Sequence, residues 1–221
     1  MVDRYVLIME NWAREIAGLF ERELFDAPST DDLFNMYRHR VNGDRDVAEA
    51  PAIRRQNLRN YLAAYPGRPE ALLMIEAPGP WGCRFSGVPI TSEAQLLDPA
   101  FPIDGERTSA RSDAMTEYSA NIFWRILRPY FPRFFIWNTV PLHPHHQGRP
   151  DTIRGPRVAE IKRFASMNHA VIDALRPEVI YAVGRKAERL LVQELGLECE
   201  YVRHPSQGGA TLFKEAMRRA F

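Results

Sequence analysis

The chain has 221 residues, of which 45% are hydrophobic and 11% aromatic. This length and composition exclude a chain that is disordered throughout, and they predict one globular domain with a sizeable core. The formal net charge is +1, which excludes a uniformly polycationic protein, so any contact with nucleic acid must come from a local basic surface.

The N-terminal third predicts two helices. Residues 5–25 carry apolar side chains at helical spacing, which are Ile8, Trp12, Ile16, Leu19 and Phe20. Residues 50–65 form a second helical stretch, in which we place Leu58 and Tyr61 on the apolar face. Three arginines of this stretch are expected on its solvated face: Arg54, Arg55 and Arg59.

From residue 70 onward, short apolar segments alternate with helical segments. The four strand candidates are contained in "EALLMIE", "RFFIWN", "PEVIYAVG" and "ECEYV". The helical candidates are "AMTEYSANIFWRILRPYF", "VAEIKRFASMNHAVIDALR", "RKAERLLVQEL" and "TLFKEAMRRAF". Strands that alternate with helices predict an α/β fold with a parallel sheet covered on both faces.

Two cysteines, Cys83 and Cys199, are too few for a disulfide framework or an all-cysteine metal site, and they fit a reducing compartment. The start "MVDRYVLIMENW" lacks the pattern of a signal peptide, and no apolar run approaches the length of a membrane span. We therefore predict a soluble, cytoplasmic monomer without a membrane contact.

Three strand candidates run directly into unusual polar or glycine-rich segments, which are "EAPGPWG", "WNTVPLHPHH" and "RHPSQGG". In open parallel sheets, ligands bind at the carboxyl ends of the strands. We therefore expect the three segments to converge on one site.

The first segment contains glycines that let the backbone approach a ligand, among them Gly79. It lacks the glycine-lysine-serine ending of a phosphate-binding loop and the spacing of a dinucleotide fingerprint. Trp81 and Phe85 offer flat faces for stacking, and Glu76 is its one carboxylate. The alternatives are core positions for the two aromatic residues and a capping or solvated position for Glu76.

The second segment contains Asn138 in an apolar setting, where an amide is costly unless it is paired. An amide can pair with an N–H beside a carbonyl, as on the edge of a pyrimidine. The alternative is an asparagine that ties down its own loop. His143, His145 and His146 are metal-ligand candidates, but adjacent histidines in a proline-bearing loop rarely face one ion, and we predict no metal.

Basic residues follow these histidines, and Arg149 and Arg154 could line a path for phosphates. The third segment places His204 directly after the last strand candidate, where it can donate to a developing anion. Ser206 could instead be a nucleophile with His204 as its base, although the spacing of two residues is not the usual triad geometry.

Residues 70 to 221 resemble the uracil-DNA glycosylase superfamily, with all three segments in order. "EAPG" is similar to the motif of the iron-sulfur branch, whereas "PGPWG" followed by "SGVP" resembles the single-strand-selective monofunctional branch. "WNTVP" looks like the strand-end asparagine segment and "RHPS" like the final histidine motif. The resemblance implies a three-layer αβα fold with a central four-stranded parallel sheet. We predict a single domain over residues 1–221, with a catalytic core (residues 66–221) and a helical extension (residues 1–65) that resembles no part of the superfamily.

The resemblance also implies roles for individual residues. Asn138 would read the edge of a flipped base, Phe85 or Trp81 would stack on it, and His204 would stabilise the negative charge of the departing base. Glu76 would position or activate water. The remaining contacts would be Ala77 and Gly79 with the substrate, and Ser206, Gln207, Gly208, Arg149 and Arg154 with DNA.

Several positions depart from the patterns of the superfamily. Ala77 stands where relatives carry aspartate or asparagine, and Ile90 stands where many carry the stacking phenylalanine. The iron-sulfur branch needs four cysteines, so we predict neither a cluster nor another cofactor. Leu212 is a candidate for the apolar wedge that relatives insert into DNA, with a place in the helix core as the alternative.

These features predict a monofunctional DNA repair glycosylase that hydrolyses the N-glycosidic bond of uracil or a related deaminated base in DNA. One alternative is a damaged-DNA-binding module of the same fold with little catalysis. Another is an N-glycosidase that acts on free nucleosides.

Overall fold

The structure is a computed structural model that describes residues 9–41 and 45–221. Its helices and strands, in chain order, are α1 (Asn11–Leu19), β1 (Leu33–Phe34), α2 (Ala50–Ala63), β2 (Ala71–Ile75), α3 (Cys83–Ser86), α4 (Glu93–Leu96), α5 (Tyr118–Leu127), β3 (Phe134–Asn138), β4 (His143–Pro144), α6 (Val158–Arg163), α7 (Ala165–Leu175), β5 (Val179–Val183), α8 (Arg185–Glu188), β6 (Glu200–Val202) and α9 (Ala210–Ala220). Helices α1 and α8 continue as π-helical segments, Phe20–Leu24 and Arg189–Glu194, and α5 continues as a 3₁₀ turn, Arg128–Tyr130.

The four-stranded sheet is parallel, with the strand order β3-β2-β5-β6. Every residue of β2 and β3 is buried, as expected for central strands whose two faces are both covered by helices. The register pairs Ile75 with Asn138, so β2 and β3 end side by side. The predicted α/β fold with a four-stranded parallel sheet is confirmed.

The N-terminal segment packs directly on the sheet. The ring of Phe20 stacks on that of Trp137 at a centroid distance of 4.4 Å. The hydroxyl of Tyr61 accepts a 2.7 Å hydrogen bond from the Ile136 amide and donates to its carbonyl at 3.2 Å. Helices α1 and α2 therefore share one core with the sheet.

Several predicted boundaries in the helices differ from the structure. The first helix begins at Asn11, and residues 5–8 of the predicted helix, including Ile8, lie outside the described residues. The N-terminal segment is not wholly helical, because β1 pairs antiparallel with β4. The predicted helix from "VAEIKRF" onward is two helices, because Phe164 leaves the helical conformation at φ −100°, ψ 6°.

The prediction that Arg54 lies on a solvated face is wrong. Its side chain is fully buried and pairs with Asp46 at 2.9 Å, and Arg84 pairs with the same carboxylate at 3.1 Å. Arg55 and Arg59 keep exposed fractions of 28% and 25%. Arg54 is buried because α2 turns this residue toward the chain around Phe85, whose carbonyl accepts a hydrogen bond from Arg54 Nε at 3.2 Å.

A membrane-spanning helix would need a long apolar segment. Among residues 9–41 and 45–221, no helix has the length and apolar character to cross a membrane.

Candidate active site

The predicted site residues Glu76, Asn138 and His204 lie at one edge of the sheet. Asn138 is the last residue of β3, Glu76 follows β2, and His204 comes two residues after β6. Gly184 follows β5 with φ +95°, and a Cβ atom added to it would lie 3.7 Å from His204 Cβ and 4.0 Å from Glu76 Cγ. Gly184 therefore lies between the two side chains. Because it has no side chain of its own, it leaves the space between them open.

Glu76 is half-buried at this edge. Burial raises the pKa of its carboxyl, and the positive charge of Lys186 partly opposes this effect. A raised pKa brings a carboxylate closer to the range in which it works well as a general base. The sequence did not lead us to predict Gly184 or Lys186 as site residues. Gly184 could have been predicted, because it is a glycine directly after a strand candidate.

Asn138 is 1% exposed, and its amide is only partly paired. Its Nδ2 lies 3.8 Å from Cys83 Sγ, and its Oδ1 has no hydrogen-bond partner within the described part of the chain. A buried acceptor left unpaired costs about 1–3 kcal/mol, which a ligand N–H would recover. The alternative, that Asn138 ties down its own loop, has no supporting hydrogen bond at Oδ1.

The orientation of His204 is set by Ser206. The Ser206 amide donates to His204 Nδ1 at 3.2 Å, and Ser206 Oγ lies 2.7 Å from the same nitrogen. Because an amide N–H can only donate, Nδ1 must be the acceptor and Nε2 carries the proton. Burial, aided by the charge of Arg203, lowers the pKa of His204 to about 4. The ring is therefore neutral near pH 7, with Nε2–H as its donor.

The aromatic candidates of the first segment differ in access. Trp81 is 39% exposed. Phe85 is buried, and the guanidinium of Arg84 lies 4.0 Å from its ring centroid. Ile90 is 8% exposed and has φ +48°, a left-handed conformation that strains a β-branched residue. Ala77 is half-buried and packs against the core.

Gly79 and Gly82 face a carboxylate that sequence reasoning missed. A Cβ atom on Gly79 would lie 2.5 Å from Glu117 Oε1, and one on Gly82 would lie 3.0 Å from the carboxyl carbon of Glu117. Glu117 directly precedes α5, where an acidic residue is so common that the sequence carries no distinct signal for it.

The histidine-rich segment and the arginines that follow it have mainly structural contacts. His143 is buried, with Nδ1 2.8 Å from the Pro78 carbonyl oxygen. Arg154 pairs with Glu160 and Asp32, so a DNA phosphate would compete with both carboxylates. Arg149 is exposed. No group of three or more potential metal ligands occurs within residues 9–41 and 45–221.

The remaining DNA-contact candidates lie on the loop after β6. Ser206 is half-buried, whereas Gln207 and Gly208 are exposed and adopt left-handed conformations at φ +52° and +80°. Leu212, on the first turn of α9, is 57% exposed. A core position for Leu212 is therefore wrong.

Comparisons with known proteins identify the family and the fold. The family model of the uracil DNA glycosylase superfamily matches residues 66–217. The crystal structure of wild-type SMUG2 from Pedobacter heparinus superposes with a TM-score of 0.62 at 13% identity, covering 96% of this chain and 97% of that one. No curated protein sequence matches the chain.

The structural likeness concerns the fold, and the family match covers more than half of the chain. The family match supports a DNA glycosylase function in general, with DNA as the partner. The resemblance predicted from the three segments is confirmed: the chain belongs to the uracil-DNA glycosylase superfamily.

Proposed function

We propose that the protein is a monofunctional DNA glycosylase that removes uracil or a related deaminated base from DNA and leaves an abasic site. The observation that carries the proposal is the buried Asn138 amide, whose Oδ1 has no partner within the described residues. A flipped base that presents an N–H beside a carbonyl would supply the missing donor and an acceptor for Nδ2.

His204 suits the departure of the base. When the bond from C1′ of the sugar to the base nitrogen breaks, the electron pair leaves on the base. A neutral imidazole that carries its proton on Nε2 can donate a hydrogen bond from Nε2–H to this anion. Its ring is already oriented by Ser206, and such a preorganised donor is worth about 3–4 kcal/mol of barrier.

Glu76 suits the capture of the sugar. Water adds its oxygen to C1′ of the oxocarbenium-like sugar, and its proton passes to the Glu76 carboxylate. The product is an abasic sugar with a hydroxyl at C1′, and no covalent enzyme intermediate is needed. The absence of a side chain at Gly184 leaves Glu76 and His204 facing a common space.

Stacking on the base involves one of two aromatic residues. Exposure favours Trp81, because Arg84 covers one face of the buried Phe85. Trp81 also lines a surface groove of about 850 Å³ together with residues 110–116. Arg111 in this groove would supply a positive charge for a phosphate of the strand that flanks the target nucleotide.

A base-release assay tests the proposal. Oligonucleotides that each contain one uracil, hypoxanthine, xanthine or oxidised pyrimidine are incubated with the protein in single-stranded and double-stranded form, and alkali cleaves the resulting abasic sites. We expect release of at least one base, and a loss of about 10²–10³-fold in Asn138→Ala and in His204→Ala. The matched controls are Asn121→Ala and His169→Ala, which alter exposed side chains. A wild-type protein that releases none of the bases contradicts the proposal.

The monofunctional assignment has its own test. A lyase would form a Schiff base between a lysine and the abasic sugar, and Lys186 is the lysine whose charge influences Glu76. Borohydride should trap no covalent adduct with abasic DNA. An adduct that disappears in Lys186→Ala would show a lyase instead.

Ala77 favours a second candidate function, a damaged-DNA-binding module with little catalysis. Its methyl group supplies no polar contact where relatives carry aspartate or asparagine. Salt-sensitive binding to uracil-containing or abasic DNA without base release would support this candidate. The cytoplasmic location and the monomeric state remain predictions from the sequence.

A further inference from the structure

The carboxyl group of Glu117 occupies the space that side chains at Gly79 and Gly82 would need. A Cβ atom on Gly79 would lie 2.5 Å from Glu117 Oε1, and one on Gly82 would lie 3.1 Å from Glu117 Cβ. Contacts below 3.0 Å require movement, and a Cβ atom on Gly82 would also come below this distance from Glu117 Oε2, so glycine at both positions leaves room for this carboxyl.

Glu117 does not act as an ordinary helix cap. It stands at the N-cap of α5, yet its side chain makes no capping hydrogen bond. Its carboxyl instead accepts a hydrogen bond from the Ser119 hydroxyl and lies against Gly79 and Gly82 of the glycine-rich segment (residues 76–90). The side chain therefore joins the start of α5 to the glycine-rich segment.

The carboxyl lacks a cationic partner within salt-bridge distance among residues 9–41 and 45–221. Burial raises its pKa, against the smaller opposing effects of the Ser119 hydroxyl and the Gly82 backbone. An acid that is half-buried without a counter-charge costs stability, and neither helix capping nor ion pairing explains its place.

The segment that Glu117 contacts carries two parts of the candidate site. Its first residue is Glu76, and Cys83, which follows Gly82, places Sγ 3.8 Å from Asn138 Nδ2. The carboxyl of Glu117 is close enough to Cys83 to raise the pKa of its thiol, in addition to the larger effect of burial. A shift of the glycine-rich segment would therefore move the water-handling carboxylate and the neighbour of the base-reading amide together.

We propose that Glu117 is a positioning residue of the glycosylase reaction, which holds the glycine-rich segment so that Glu76 and Asn138 face the target base from fixed positions. This inference rests on the proposed function, and its test includes a measurement that does not depend on catalysis.

The catalytic test compares three variants in single-turnover base release. Glu117→Ala should lower the rate about 10²-fold, because a misplacement of about 1 Å in an active site can cost that much. Glu117→Gln keeps the length of the side chain and an acceptor for the Ser119 hydroxyl, and should retain a rate within a few fold of wild type. Glu49→Ala is the matched control, because Glu49 is also an N-cap glutamate without a capping hydrogen bond, but is exposed.

The space that the glycines provide gives a second comparison. Gly79→Ala collides with the Glu117 carboxyl, which must move away from the segment, and should lower the rate by no more than Glu117→Ala does. If the collision is the cause, the double variant Gly79→Ala/Glu117→Ala should be no slower than Glu117→Ala alone. Additive losses in the double variant would overturn the inference.

Tryptophan fluorescence follows the segment without any substrate. Trp81 is 39% exposed, whereas Trp12, Trp124 and Trp137 are at most 2% exposed, so quenching by acrylamide reports chiefly on Trp81. Glu117→Ala should change the quenching, and Glu117→Gln should not. A wild-type rate or wild-type quenching in Glu117→Ala would overturn the inference. Wild-type protein that releases no base would instead refute the proposed function, and the quenching measurement would still test whether Glu117 holds the segment.

Discussion

The glycine-rich segment (residues 76–90) and the histidine segment (residues 203–209) end at the same edge of the sheet but are held in different ways. Side chains from other parts of the chain form hydrogen bonds with backbone carbonyls of the glycine-rich segment. These are Tyr37 to the Gly87 carbonyl at 2.7 Å, Arg54 to Phe85 at 3.2 Å, Asn57 to Ser86 at 2.8 Å and His143 to Pro78 at 2.8 Å.

The histidine segment is held mainly by itself. Ser206 bonds to the ring of His204, and the Gly209 amide donates to the Ser206 carbonyl at 3.1 Å. A Cβ atom on Gly209 would collide with the His204 carbonyl oxygen. The backbone therefore folds so tightly that only glycine fits at this position.

The difference separates two ways of preorganising a site. Residues far apart in sequence hold the glycine-rich segment, so its shape depends on the whole fold. Local hydrogen bonds and glycine conformations hold the histidine segment, so its shape depends on a few neighbouring residues. Variants should consequently affect global stability through the first segment and local geometry through the second.

The largest effect on stability is expected at Arg54, which supports the glycine-rich segment from α2. Arg54→Ala leaves the buried Asp46 carboxylate with Arg84 as its remaining ion-pair partner and should lower the free energy of unfolding by about 3–5 kcal/mol. Urea denaturation followed by circular dichroism measures this change. Arg59→Ala, on the same helix but in a partly exposed pair with Glu21, should cost less than about 1 kcal/mol. Equal losses would contradict the assignment of Arg54 to the support of the segment.

In the histidine segment, we expect a large loss of activity with a smaller loss of stability than in Arg54→Ala. Gly209→Ala must displace the His204 backbone, because the added methyl group collides with it. The rate of base release should fall about 10²-fold, while the free energy of unfolding falls by less than in Arg54→Ala, because the rearrangement stays within the local loop. Gly67→Ala is the control, since nothing lies within 4 Å of its Cβ position. A variant that loses stability as much as Arg54→Ala would remove the distinction between the two segments.

The burial of His204 predicts a dependence of stability on pH. Its pKa is about 4 in the folded protein, against 6.5 for a histidine side chain free in water. Between these values the unfolded chain binds more protons at this position, so the free energy of unfolding should fall as the pH falls from 6.5 toward 4. Denaturation at about pH 7, 6 and 5 should show a shallower decline for His204→Gln than for wild type. An unchanged decline would mean that His204 is not buried in its neutral form.

The smallest effect is expected for DNA binding by the arginines after β4. These residues lie on a third loop and extend the comparison to it. Arg149 is exposed, and Arg149→Ala should weaken DNA binding several-fold and lower the slope of log affinity against log salt by about 1. Arg154 is paired with Glu160 and Asp32, so Arg154→Ala should act mainly on stability. Fluorescence anisotropy of labelled DNA at several salt concentrations separates the two. An unchanged salt slope in Arg149→Ala would remove this residue from the DNA surface.

Much of the fold follows from patterns in the sequence. The apolar run of residues 71–75 and the four alternating strand segments predicted a parallel sheet, because a strand buried on both faces needs apolar side chains throughout. The order of the three strand-end segments likewise predicted the superfamily. For these features, the type of each residue is enough to indicate whether it is buried or exposed.

Other features arise from pairs of residues in different elements that meet only in the folded chain. From the sequence, Arg54 is expected on the surface of an amphipathic helix, but in the structure it pairs with Asp46. Glu117 is expected at an ordinary helix start, but in the structure its carboxyl lies against Gly79 and Gly82. A charge is buried only where a partner or hydrogen bonds compensate for lost solvation, and no local pattern identifies that partner. The sequence by itself therefore determined the sheet, the order of its loops and the family, whereas the tertiary structure alone decided which charged groups are buried behind the site and hold it in place.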